Sequence, residues 1–125
     1  MNQHYAAFLL ISMAVCFSAP QLAVAADNST GHGHEITRLI TKVKQSECTF
    51  IRNGKSYSAD KAAKFLRFKF KRAKDDIFTS EDFISQLATK SSTSNKPYKI
   101  QCEGKKVNTG AQWLQRQLQA LRSSG

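Results

Sequence analysis

Histidine is scarce in this 125-residue chain: His4, His32 and His34 are the three it has, and all of them precede Glu35. The long body that follows therefore contains no imidazole. A Ser-His-Asp or Cys-His nucleophile needs one within hydrogen-bond reach, so such chemistry would require His32 or His34 to dock onto the domain. Zinc-assisted hydrolysis meets the same shortage, because two leader histidines with Glu35 do not make three fixed ligands. A loose surface site for Cu or Ni across Gly31-His32-Gly33-His34 is the metal chemistry that remains. Neither a structural metal nor a cofactor is expected.

Acidic residues are also few: 9 Asp and Glu stand against 19 Lys and Arg, a net charge of +10. Such an excess does not select a fold, but it favours acidic partners and anionic surfaces and makes those contacts salt-sensitive. None of this charge lies in residues 1–26, which lack Lys, Arg, Asp and Glu altogether. There, Ala6 to Cys16 is a short apolar run, and Ala23-Val24-Ala25-Ala26 supplies small residues at the spacing of a cleavage site. The pattern is that of a secretory signal peptide cut after Ala25 or Ala26, too short for a membrane span. Its first residues, MNQHY, depart from the usual form in having no Lys or Arg. The expected organisation is a signal peptide over 1–26, a flexible polar leader over 27–34 and a single domain over 35–125. No later stretch is apolar enough to cross a bilayer, and export would place the protein in the periplasm or outside the cell.

Of three cysteines, Cys48 and Cys102 lie beyond the signal segment. In an oxidising compartment a disulfide between them is the default, and their spacing excludes a CxxC redox site. Closing a loop of about fifty residues would contribute roughly 4 kcal/mol in the chain-entropy picture.

Along the domain, Ile36, Leu39, Ile40 and Val43 have the spacing of one helical face, over Glu35 to Lys44. Cys48 to Arg52 and Lys55 to Ser58 flank Asn53-Gly54, and Asn-Gly between β-forming runs is the strongest short hairpin signal. Ser58 can cap a helix reaching about Ala73, and Thr79 with Asp82 suits a capping box before Phe83, Ile84, Leu87 and Ala88. Pro97 opens a strand, Tyr98 to Cys102, with a turn at Glu103-Gly104 and a short return at Lys105 to Val107. Asn108 or Thr109 can cap a last helix carrying Ala111, Leu114, Leu118 and Leu121. Four helices with a short antiparallel sheet, built from the Asn-Gly hairpin and a C-terminal strand or hairpin, make an α+β domain.

Five short segments occur in a familiar order: FIRNG (50–54), AAKFLRFK (62–69), EDFI (81–84), TKSS (89–92) and KPY (96–98). In these the chain resembles the YfeK-like proteins, small exported bacterial proteins grouped as a domain of unknown function. The resemblance covers about residues 35–122 and implies a bacterial envelope protein, without supplying an activity, ligand or catalytic residue. The basic loading between Lys61 and Lys74 exceeds what the family usually carries.

Ser58-Ala59-Asp60-Lys61 matches the S-x-x-K spacing of penicillin-binding enzymes, but no S-D-N or K-T-G element follows, and Ser58 reads as a cap. Glu81 and Asp82 have a sufficient use at a helix N-terminus, so they are not read as a glycosidase pair. The most informative candidate is the basic helix. At 100° per residue Ala59, Ala63, Leu66 and Phe70 share the core face, and Phe68 falls almost opposite, among Lys61, Lys64, Lys71 and Arg72. An aromatic among cations suits an anionic surface. The alternative is that a second layer, such as the last helix with Trp113, covers Phe68 while the lysines stay solvated.

Weaker candidates are Arg52, Thr89, Lys90, Lys96 and Tyr98. Arg52 could fasten the hairpin to Asp75 or Asp76, the favoured role, or face a ligand. The sequence thus points to a non-enzymatic binding or accessory protein. Its partner would be an acidic protein or an anionic envelope component: lipid, lipopolysaccharide or cell-wall polymer. Nucleic acid is disfavoured in an exported protein. The alternative is a cell-wall-acting enzyme or enzyme inhibitor with a cleft near Arg52, Thr89 and Tyr98.

Overall fold

The structure is a computed structural model and describes residues 28–125; the signal segment expected over 1–26 lies outside the described residues. Helix α1 (Asn28–Gln45) buries Ile36, Leu39, Ile40 and Val43 on one face. It takes in Asn28 to His34, most of the stretch expected as a polar leader, so the helix begins earlier than the apolar spacing from Ile36 suggests. The segment has neighbours to pack on: His32 and Gly33 line a cavity with Ile36, Phe70 and Ile77. The Thr37 hydroxyl also donates to the Gly33 carbonyl at 2.8 Å. Residues two apart on a helix do not face each other, so His32 and His34 are not brought together as a metal pair.

The hairpin follows. Strands β1 (Thr49–Arg52) and β2 (Lys55–Tyr57) pair antiparallel, with Phe50 opposite Tyr57 and Arg52 opposite Lys55. Asn53 and Gly54 have φ of 53° and 75°, the positive pair that a type I′ turn requires. Helix α2 (Ala59–Ala73) starts at Ser58, whose hydroxyl accepts from the Lys61 amide at 3.3 Å. That hydroxyl is a helix cap. A 3-10 turn (Lys74–Asp76) then leads to buried Ile77.

Helix α3 (Ser80–Asp82) opens with the expected capping box: Thr79 accepts from the Asp82 amide, and the Asp82 carboxylate accepts from the Thr79 amide. It runs directly into a π-helical turn (Phe83–Leu87), where apolar periodicity predicts ordinary α-helix. Phe83 and Ile84 are buried there, and the Ile84 carbonyl accepts both from the Ala88 amide at 3.2 Å and from the Thr89 hydroxyl at 2.6 Å.

Strand β3 (Lys99–Gln101) pairs with β1, and β4 (Asn108–Thr109) pairs with β3, giving an antiparallel sheet in the order β2-β1-β3-β4. The return strand therefore falls at Asn108–Thr109, not at Lys105 to Val107. The turn takes more chain than expected, with Gly104 at φ 68° and the Lys105 amide bonded to the Cys102 carbonyl. Thr109 caps helix α4 (Gly110–Ser123). Gly110 is closely packed: its amide donates to the Tyr98 carbonyl at 2.8 Å, and a Cβ there would meet the Tyr98 Cβ at 3.4 Å.

The core lies where α1, α2 and α4 meet the sheet, around Leu39, Phe83, Ile100 and Leu118. Two ties close it. Cys48 and Cys102 form a disulfide between the approach to β1 and the end of β3. At the other end Arg122 of α4 pairs with both Glu35 of α1 and Glu81 of α3, and buried Ser80 donates to Glu35. Four helices and one sheet thus form a single α+β domain. No helix among the described residues is long and apolar enough to cross a membrane.

Candidate functional site

The outer face of α2 is built by the periodicity that buries its inner face. With Ala59, Ala63 and Leu66 committed to the core, Lys61, Lys64, Phe68, Lys71 and Arg72 are turned outward. Phe68 is 56% exposed, so no second layer among the described residues covers it, and Trp113 is instead buried, meeting Phe50 edge-on with ring centroids 6.2 Å apart. The Arg72 guanidinium lies over the Phe68 ring at 5.5 Å. Lys64 pairs with Asp60 one turn back at 2.9 Å, and that hydrogen bond holds the Asp60 carboxyl below its ordinary pKa. Among the described residues Lys61, Lys71 and Arg72 join no ion pair.

Beside this face, α2, the sheet and the start of α4 border a half-open cavity of about 200 Å³. Phe50, Ala62, Leu66, Ala88 and Leu114 supply hydrocarbon walls, and Arg52, Lys61, Phe65 and Tyr98 also line it. The Phe65 ring has a cation on it twice: the Arg52 guanidinium at 4.9 Å and the Lys69 ammonium at 5.6 Å from its centroid. Tyr98 meets Phe65 edge-on at 6.3 Å. The Lys69 ammonium donates to the Leu87 carbonyl at 2.7 Å and to the Tyr98 hydroxyl at 3.2 Å. Burial, with Arg52 nearby, holds the Lys69 pKa below that of an ordinary lysine. Burial also raises the Tyr98 phenol, against the opposing pull of Arg52.

Arg52 does not fasten the hairpin to Asp75 or Asp76. No such ion pair forms among the described residues, and the buried Arg52 Nε has no hydrogen-bond partner. The fastening is done by Asn53 instead: its side-chain amide lies 3.5 Å from the buried Ser91 hydroxyl, and its carbonyl accepts from Ser94. The loop from Thr89 to Tyr98 is closed on itself by backbone bonds from Ser91 to Lys96 and from Tyr98 to Thr89. Of the weaker candidates, Arg52 and Tyr98 therefore meet at the cavity. Thr89 has its hydroxyl committed to the Ile84 carbonyl, and Lys90 and Lys96 are exposed.

Sequence reasoning missed Lys69. Its position four residues after Phe65 puts the two on one stripe of α2, between the core face and the outer face. That spacing was available, but the Leu87 carbonyl and Tyr98 that receive Lys69 come from other parts of the chain. Among the described residues no three His, Cys, Asp or Glu side chains gather as a metal site.

Comparison with known proteins places these features in a family. The model of the family of unknown function DUF5329 matches residues 30–122, nearly all of the described domain. The chain is also 36% identical over 55 residues to the uncharacterized protein YfeK of Salmonella typhimurium, a match covering 44% of this chain and 46% of that protein. The match thus spans under half the length of that relative. No solved structure matches. With a hairpin, a basic helix and a disulfide-closed sheet all inside the matched span, the chain belongs to the DUF5329 family of unknown function.

Proposed function

We propose that this protein is exported and acts without catalysis, docking an anionic lipid surface of the bacterial envelope through the outer face of α2. The observation that carries the reading is Phe68, 56% exposed and stacked under Arg72 on a face that also presents Lys61 and Lys71. A large apolar ring costs little at a surface where it can insert beside headgroups, and the surrounding cations attract the negative charge that those headgroups bear. The Cys48–Cys102 disulfide supports export, since such bonds persist in oxidising compartments.

The test is sedimentation with phosphatidylglycerol-containing vesicles and with phosphatidylcholine vesicles, at low and high salt. Each cation near an anionic leaflet contributes about 1 kcal/mol, so reversing Lys61, Lys64, Lys71 and Arg72 to Glu should weaken binding about a hundredfold or more. Phe68→Ala should weaken it about tenfold, through lost apolar burial. Equal binding of the reversed variant to anionic vesicles would sink the reading.

A second reading has a specific observation in its favour, because Arg52 and Tyr98 do line a cleft. A cell-wall-acting enzyme or inhibitor could use it. Its lining contains no carboxylate, imidazole or thiol, which favours holding a ligand over turning one over. Muropeptide release from peptidoglycan by the purified protein is the measurement that would revive the enzyme.

A further inference from the structure

The cavity between α2 and the sheet has a polarity that the docking face does not explain. Its walls are hydrocarbon, yet Arg52 and Lys69 sit on the Phe65 ring that borders it. Two like charges in a partly desolvated place repel each other, and a nearby carboxylate is the usual remedy. Here none is present: among the described residues neither Arg52 nor Lys69 forms an ion pair. Lys69 meets only neutral oxygens, from Leu87 and Tyr98. The Arg52 Nε is buried with no acceptor, and an unsatisfied buried donor costs about 1–3 kcal/mol.

We propose that this cavity binds a small amphipathic carboxylate, with its anionic head on Arg52, within the field of Lys69 behind the Phe65 and Tyr98 rings, and its apolar body against Phe50, Leu66 and Leu114. A carboxylate supplies the negative charge that both cations lack, while the hydrocarbon walls receive the tail. The cavity volume, about 200 Å³, suits a short acyl chain or a single ring. Phosphate alone would satisfy the cations and leave the apolar part empty. The depressed pKa of Lys69 fits the same picture, since burial and Arg52 both disfavour its charge and an anion would restore it.

Octanoate is the probe, with octanol, octylamine and inorganic phosphate as controls, all measured by calorimetry on the full domain. Trp113 gives a second readout, because it is the single tryptophan and lies on Phe50, a wall of the cavity. Octanoate should bind at least tenfold more tightly than each control and raise the melting temperature. Arg52→Met and Lys69→Met, which keep hydrocarbon on Phe65, should each weaken octanoate binding about tenfold and leave vesicle binding by the α2 outer face unchanged. Ala62→Leu should fill the cavity with both cations in place, and it decides the matter if a cation variant fails to fold. The proposal is overturned if octanoate does not bind, if octanol or phosphate binds as well, or if Ala62→Leu binds octanoate normally. Loss of vesicle binding in the Phe68→Ala variant, with octanoate binding intact, separates this site from the docking face.

Discussion

Alternation along β1 puts Arg52 beside the Asn53-Gly54 turn, and the sequence offers Asp75 and Asp76 as acids within plausible reach. Tertiary packing takes it elsewhere, onto the face of Phe65, where cation–π attraction substitutes for an ion pair. Arg122 shows the opposite case. Nothing local marks it, yet it receives two carboxylates, from Glu35 and Glu81. The hydrogen bonds from Arg122 hold both carboxyls below their ordinary pKa, with burial opposing at each, and Arg122 itself is raised above the usual arginine value. For depressed carboxyls the stabilisation is present above the unfolded-state pKa and is lost as pH falls through the folded-state values. Arg122→Ala should therefore cost about 1 kcal/mol at neutral pH, a modest figure because the side chain is 47% exposed. Its unfolding free energy should also fall less steeply than that of the wild type below about pH 4.5. Urea titrations at neutral and acid pH measure both, and parallel pH profiles for the two proteins would remove the role assigned to the pair.

At the scale of elements, the capping signals were the most legible. Ser58, Thr79 and Thr109 each accept from the amide three residues on, as their positions before helical periodicity suggest. Thr79→Ala should destabilise the domain by about 1 kcal/mol, read as a lower urea midpoint with unchanged slope, because it leaves the Asp82 amide without its acceptor. A midpoint equal to the wild type would mean that the amide finds water at no cost. The π-helical turn was not legible. Its apolar residues have ordinary helical spacing, and the wider turn fits the packing of Phe83 against Phe70, edge-on at 5.8 Å. Helix α2 was legible on its two extreme faces and obscure between them. Core and solvent follow from periodicity, whereas the stripe with Phe65 and Lys69 depends on which chain segments arrive beside it.

At the scale of the molecule, the disulfide joins neighbouring strands of the sheet, since β1 and β3 pair with Phe50 opposite Ile100. Replacing Cys48 and Cys102 by Ala, or reducing the protein, should lower the unfolding free energy by roughly 4 kcal/mol in the chain-entropy model. Calorimetric melts of oxidised and reduced protein check this, and indistinguishable melts would show that the sheet and core suffice.

Local chemistry in the chain was enough for the α+β class, the hairpin, the helix starts capped by Ser58, Thr79 and Thr109, and the cysteine partnership. Each depends on residues a few positions apart, or on the scarcity of alternatives, as with Cys48 and Cys102, the two cysteines after residue 26. Three-dimensional packing decided the rest: that Phe68 is exposed, that Asn53 reaches Ser91 and Ser94, and that Arg52, Phe65 and Tyr98 meet around one cavity, with Lys69 against the two rings. Those residues come from β1, α2 and the segment before β3, and their meeting depends on how the elements pack. Periodicity assigns a side chain to a face of its own element; only the fold determines what stands opposite that face.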